Sequence, residues 1–122
     1  MNFLLVFLGG GIGSICRYLV SRAVTSNFQN INPLATFISN LLATLVLIIS
    51  LVIFSHQPQL KPDFKLFIIT GFCGGFSTFS TFSYETFYLI RNGFTFFAIL
   101  NIILSIFITL LAIFFIIKFT KI

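Results

Sequence analysis

The stretch GFCGGFSTFSTFSYETF, residues 71–87, concentrates the residue types that could do chemistry in this chain. Within an apolar segment it holds three glycines, five serine or threonine hydroxyls between Ser77 and Ser83, and the carboxylate of Glu85. Because lipid offers no hydrogen-bond partners, such groups inside a membrane face the protein interior or a water-filled path.

The glycines of this stretch predict an interruption in a membrane-spanning helix. Gly71, Gly74 and Gly75 each weaken a helix by roughly 1 kcal/mol relative to alanine. We expect a break at residues 74–77 and a second half-helix from about Ser80. A break frees carbonyls that suit a cation and N–H groups that suit an anion. The alternative is an unbroken helix whose glycines permit close packing.

Phe79 and Phe82 are three residues apart, so they share a face of the second half-helix. An aromatic ring has a negative face and a positive edge. Two rings turned edge-on beside the flanking hydroxyls and the amide of Asn40 would therefore form a weak cage for a small anion. A cage without full positive charge lets an ion enter and leave, as conduction requires.

Two other apolar segments carry polar side chains every four residues, which places each set on one helical face. These sets are Thr36, Asn40 and Thr44, and Asn101, Ser105 and Thr109. For the hydroxyl residues, interhelical hydrogen bonds of roughly 0.6 kcal/mol each explain the pattern as well as an ion path does. Asn40 favours a function, because a central amide is costly to bury and offers two N–H donors.

Two charged residues lie inside the apolar segments, away from the segment ends. Arg17 follows GGGIGSIC, a small-residue pattern that predicts close helix packing, and it either extends to the membrane surface or lines a vestibule for an anion. Glu85 either couples transport to protons or is a hydrogen-bonded structural acid. Cys16 and Cys73 are interpreted as packing thiols.

The elements that must position these groups are transmembrane helices. Of 122 residues, 58% are hydrophobic and only 7% charged, against about 25% charged in soluble domains. Four segments reach the length of about 20 residues that a span needs, at residues 3–22, 33–54, 66–90 and 94–117. None alternates in polarity, so we predict an all-α integral membrane protein of one four-helix domain, residues 1–122.

The charges add little beyond this class. A net charge of +5 is ordinary beside lipid headgroups and does not indicate a nucleic-acid partner.

No nucleophile–base pair or metal cluster appears, so we do not expect an enzyme. The cations divide unevenly between the two sides of the predicted bundle, which gives a modest bias toward a cytoplasmic N-terminus and is compatible with insertion in both orientations. One side carries the N-terminus, Lys61, Lys65, Lys118 and Lys121, and the other carries Arg22 and Arg91, with Arg17 as a third cation if it extends to that surface.

Together, GGGIGSICRY, the mid-span Asn40 and GFCGGFSTFSTF resemble the small fluoride-channel family known as Fluc or CrcB, over nearly the whole chain. Two positions depart from the family pattern. Ser77 stands where threonine is usual, and Ser14 stands where alanine is usual. Both changes are mild. The first alters only a side chain, so the backbone carbonyl of Ser77 could still bind an ion.

The resemblance implies passive, selective fluoride export across the cell (inner or plasma) membrane by an antiparallel homodimer that inserts in both orientations and holds two pores. It implies that Phe79 and Phe82 line the pore with the amide of Asn40. It also implies that Ser80 and Thr81 add hydroxyls. The carbonyls of Gly74 and Ser77 from both subunits would hold a structural sodium ion. The polar track and vestibule would contain Arg17, Thr36, Ser105, Thr109 and Glu85.

Two other classes compete with this interpretation. A proton-coupled exporter of the small multidrug kind would use Glu85, but such proteins need an acid deep in the bundle and the first span offers Arg17 instead. A purely structural assembly protein would have no need of the glycine break or of the polar stripes.

Overall fold

The structure, a computed structural model, describes residues 1–27 and 32–120, and Lys121 lies outside them. Four stretches of the described residues are long and apolar enough to span a membrane. Three are continuous helices: α1 (Asn2–Asn27), α2 (Asn32–His56) and α6 (Thr95–Thr120). The prediction of an all-α membrane protein with four spans is therefore confirmed. His56 is the last residue of α2.

The third span, Pro62–Arg91, consists of several helical pieces. It begins with α3 (Pro62–Lys65), where proline suits the first turn because its missing N–H would have no helical partner. A π-helical segment, π1 (Leu66–Cys73), and a short α4 (Gly74–Phe76) continue it. After two extended residues, α5 (Phe79–Arg91) completes the span. Gly93 then turns the chain into α6 with a φ of 83°, a conformation that favours glycine.

The interruption lies at Ser77 and Thr78, later than the glycines that suggested it. Ser77 has φ −79° and ψ 155°, and Thr78 has φ −150° and ψ 124°, whereas Gly74 and Gly75 remain helical. Gly75 instead allows close packing, because a Cβ there would lie 2.9 Å from the Cα of Gly10. Gly75 thus permits the close contact between helices, whereas the helix is interrupted at Ser77 and Thr78.

Helix α1 packs directly on the first half of the third span through small residues. A Cβ on Gly9 would lie 3.0 Å from the Phe72 nitrogen, and one on Gly13 would lie 2.8 Å from the Phe76 nitrogen. The close packing predicted from the GGGIG pattern is confirmed. It holds π1 and α4 against α1, so the chain break after Phe76 starts from a fixed position.

Helix α2 packs against α1, α5 and α6, with small residues on its buried face. Ala35, Ser39 and Ala43 are nearly inaccessible and recur every four residues, so neighbouring backbones approach α2 closely along this line. Cys73 is buried and Cys16 half-buried, as expected of packing thiols. The arrangement brings the middle of α2 beside the break in the third span.

Candidate functional site at the helix break

Thr78 starts the second half of the third span. Its backbone is extended, and its Oγ1 accepts a hydrogen bond from the Thr81 N–H at 3.3 Å, which is the usual arrangement of an N-cap residue. The sequence interpretation gave Thr78 no role. The signal was present, because a threonine directly before a helical stretch is a preferred N-cap.

Asn40 of α2 pairs with both backbone groups of Thr78. Its Nδ2 donates to the Thr78 carbonyl at 3.1 Å, and its Oδ1 accepts from the Thr78 N–H at 2.7 Å. A broken helix leaves such groups without helical partners, and inside a membrane water cannot replace them. Asn40 therefore stabilises the interruption, and its second amide N–H is free of this pair.

The hydrogen bonds around Thr78 also leave the carbonyls of Gly74 and Ser77 without their usual helical N–H donors. In a continuous helix the Thr78 N–H would bond to Gly74, and the Thr81 N–H would bond to Ser77. Here the Thr78 N–H donates to Asn40 and the Thr81 N–H to the Thr78 hydroxyl. Gly74 and Ser77 are exposed in the single chain and line one cavity of about 250 Å³. Freed carbonyls suit a cation.

Beside α5 lies a second cavity of about 390 Å³, here called the aromatic cavity. The ring centroids of Phe79 and Phe82 are 6.0 Å apart with planes at 37°, and Phe79 is 79% exposed. The Ser105 Oγ is buried and has no hydrogen-bond partner among the residues that the structure describes, so it has a hydroxyl proton to offer. The polar or aromatic residues that line the aromatic cavity are Phe37, Asn40, Thr44, Ser77, Thr78, Phe79, Phe82, Ser105 and Thr109.

On the other side of the break lies a polar cavity of about 280 Å³. The Thr36 hydroxyl donates to Glu85 Oε1 at 2.9 Å. Glu85 Oε2 and Arg17 Nε are buried and have no hydrogen-bond partner within residues 1–27 and 32–120. Arg17 thus lines this cavity with its Nε buried. The polar residues that line the polar cavity are Ser14, Arg17, Tyr18, Ser21, Thr36, Ser39, Thr78, Thr81 and Glu85.

Thr78, at the break, is a lining residue of both cavities. The residues singled out by sequence fall into two groups around it, with the aromatic pair and Asn40 on one side and the charged pair on the other. Ser80 lines neither cavity, and its Oγ lies 3.3 Å from the Thr78 hydroxyl. Sequence periodicity describes the face of one helix and could not show this division.

Two further residues, Asn101 and Ser14, make contacts that the sequence pattern did not indicate. Asn101 is separated from Ser105 and Thr109, because its Nδ2 donates to Thr86 Oγ1 at 3.3 Å and it lines another cavity. Ser14, the serine that replaces the usual alanine, lies with its Oγ 3.5 Å from the Gly75 carbonyl, so the substitution adds a contact between α1 and α4.

Four apolar spans, with polar side chains gathered around a break in the third, define a multi-pass membrane protein with a polar interior. The chain belongs to the CrcB family: the family model described as "CrcB-like protein, Camphor Resistance (CrcB)" matches residues 4–117. The resemblance stated from the motifs is confirmed.

Curated relatives carry a more specific description. The chain is 46% identical over 95 residues to the "Fluoride-specific ion channel FluC" of Gloeothece citriformis, covering 76% of this chain and 75% of the relative. It is 42% identical over 104 residues to the protein of the same name from Serratia proteamaculans, covering 85% and 81%. The Escherichia coli K12 protein of that name is 41% identical over 102 residues, covering 84% and 80%.

Proposed function

We propose that this protein is a fluoride-selective ion channel that releases fluoride passively across the cell membrane. The observation that carries the proposal is the aromatic cavity, where two phenylalanine rings, a partnerless Ser105 hydroxyl and the Asn40 amide meet at a helix break. Its chemistry suits a small anion, because ring edges, hydroxyls and amide N–H groups all present positive character without a full charge. The names of the relatives support the same ion.

The proposed route for the ion leads from the polar cavity past Thr78 to the aromatic cavity. Arg17 raises the electrostatic potential in the polar cavity, which favours the entry of an anion. Hydroxyls of Thr81 and Thr78 then replace water around the ion, and Ser105 and Thr109 follow on α6. Glu85 accepts a hydrogen bond from the Thr36 hydroxyl and lies beside this route without obstructing it.

We further propose an antiparallel homodimer with two pores and a structural sodium ion between the subunits. Phe79, Gly74 and Ser77 are exposed in the single chain although they belong to a polar or aromatic site inside a membrane. A second copy would cover them. The freed carbonyls of Gly74 and Ser77 fit a cation chemically, and two from each chain would give a more complete shell than one chain offers.

The decisive experiment is efflux from liposomes that contain the purified protein, read with fluoride and chloride electrodes. We expect fast fluoride loss down its own gradient, chloride loss at the background of empty liposomes, and no dependence on an imposed pH gradient. Proton-driven transport that disappears in Glu85→Gln would instead support the small multidrug-type exporter, which the relatives do not favour. Well-folded protein without fluoride flux would end the channel proposal.

The two rings of the aromatic cavity should be needed for conduction. Phe79→Ile and Phe82→Ile keep the side chains apolar but remove the ring edges. The same ring quadrupole makes an aromatic pair worth roughly 0.5–1.5 kcal/mol, and we expect a contact with an anion to be of similar size. We expect each substitution to slow fluoride efflux about tenfold, since 1.4 kcal/mol corresponds to tenfold. Phe107→Ile is the matched control, because Phe107 is 59% exposed on α6 and lines none of the four cavities described. Equal rates in all three variants would exclude a specific role for the rings.

A further inference from the structure

A cleft of about 550 Å³ lies apart from the break, between the start of α2, the end of α5 and α6. We call it the lateral cleft, and its walls include Pro33, Leu34, Leu89, Phe94, Phe97 and Leu104. The lateral cleft shares Phe37 with the aromatic cavity, and the proposed ion route does not use it. Its volume is within the range of about 300–1,000 Å³ that is typical of ligand sites.

The lining of the lateral cleft suits hydrocarbon. Phe94, Phe97 and Leu104 are 54%, 56% and 41% exposed, so the cleft opens to the surroundings of the single chain. Asn101 is the one polar side chain among its lining residues, and it donates to Thr86 within the bundle. In a membrane, an apolar opening of this kind faces lipid and not water.

The dimensions of the lateral cleft match one leaflet of a bilayer. Its α6 lining residues extend from Phe97 to Ile108, which is about 16 Å along a helix that rises 1.5 Å per residue. This length is about half of the hydrocarbon core, which is roughly 30 Å thick. One end lies at Pro33 and Phe94, where α2 begins and α6 is about to begin, so the cleft leads from the membrane surface inward.

A cation lies at the surface end of the lateral cleft. Arg91 is the last residue of α5 and is exposed. The turn that follows folds back, with the Phe94 N–H donating to the Leu89 carbonyl at 2.8 Å. Arg91 therefore lies at the end of α5, between two lining residues, Leu89 and Phe94. A guanidinium at headgroup depth is well suited to bind phosphate, because its N–H fork matches two phosphate oxygens.

We propose that the lateral cleft holds one acyl chain of an anionic phospholipid from the surrounding bilayer, and that Arg91 binds its phosphate. The apolar walls and one-leaflet length account for the acyl chain. The positive charge at the surface end accounts for the preference for an anionic headgroup. This lipid site does not depend on the proposed ion route.

The chain contains no tryptophan, so a single introduced indole reports on one position. In Phe97→Trp the indole lies in the wall of the cleft. Its fluorescence would be measured in phosphatidylcholine vesicles with a minor fraction of acyl-brominated lipid, carrying either a phosphatidylglycerol or a phosphatidylcholine headgroup. We expect the brominated phosphatidylglycerol to bind about fivefold more tightly, as expected for one arginine near the surface. Arg91→Gln in the same background should remove the preference.

Ile99→Trp is the matched control for membrane depth. Ile99 is 52% exposed, lies two residues from Phe97 and does not line the cleft, because two residues turn a helix by about 200°. Its indole should be quenched equally by both brominated lipids. Equal quenching at Phe97→Trp, or a preference that survives Arg91→Gln, would overturn the proposal. So would the absence of quenching at Phe97→Trp by either lipid, which is the result expected if a second copy covers the cleft.

Discussion

Replacing Asn40 by leucine is expected to abolish fluoride efflux and to lower the temperature of unfolding. Asn40 satisfies both the N–H and the carbonyl of Thr78 at 2.7 and 3.1 Å, from a position 38 residues away in the chain. Leucine has a similar size but leaves two backbone groups unsatisfied, which costs about 1–3 kcal/mol for each. The break then loses its fixed geometry, and the part of the lining that Thr78 gives to both cavities is displaced. Efflux from liposomes and thermal unfolding in detergent measure the two effects.

Ser50→Ala provides the control for this experiment. Ser50 is also on α2 and is 7% exposed, but its hydroxyl only donates to the Val46 carbonyl one turn earlier. Its loss should change neither efflux nor unfolding by a comparable amount. Asn40→Asp separates the two functions of the amide, since it keeps the acceptor for the Thr78 N–H and adds negative charge beside the proposed ion route. Normal fluoride efflux from the leucine variant would show that Asn40 does not maintain the site.

Gly13→Ala is expected to destabilise the protein strongly, although alanine favours a helix by about 1 kcal/mol over glycine. The new Cβ would lie against the Phe72 carbonyl and 2.8 Å from the Phe76 nitrogen, so α1 must move away from the third span. Overpacking of this kind costs about 1–3 kcal/mol. Because α1 holds π1 and α4, the displacement also shifts the start of the break. We expect a lower unfolding temperature together with slower fluoride efflux.

Gly11→Ala is the matched comparison, two residues earlier on the same helix. A Cβ on Gly11 meets no atom of the described part of the chain within 4 Å, so the substitution gains helix propensity without a clash. Its unfolding temperature should equal or exceed that of the unsubstituted protein. If both alanine variants unfold at the same temperature, the contact between α1 and the third span does not limit stability, and this account of the glycines is wrong.

Much of the architecture could be predicted from the sequence because a membrane restricts the choices. Long apolar segments must become helices when lipid supplies no hydrogen-bond partners, so composition and length were enough to identify four spans. The motifs around Arg17, Asn40 and Phe79 were enough to identify the family. The GGGIG pattern indicated close helix packing, since small residues in that pattern serve few other purposes in lipid.

The location of the break and the grouping of the side chains depended on tertiary structure. Glycines indicated a weak helix, but the actual interruption follows them, where Asn40 from another helix pairs with Thr78. Periodicity placed Asn101 and Ser105 on one face of α6, yet Asn101 binds Thr86 while Ser105 lines the aromatic cavity. The sequence by itself determined which residues are polar inside the membrane and which helical face carries them. Only the packing of four helices decided which of them meet, because a helical period describes one helix and contains no information about its neighbours.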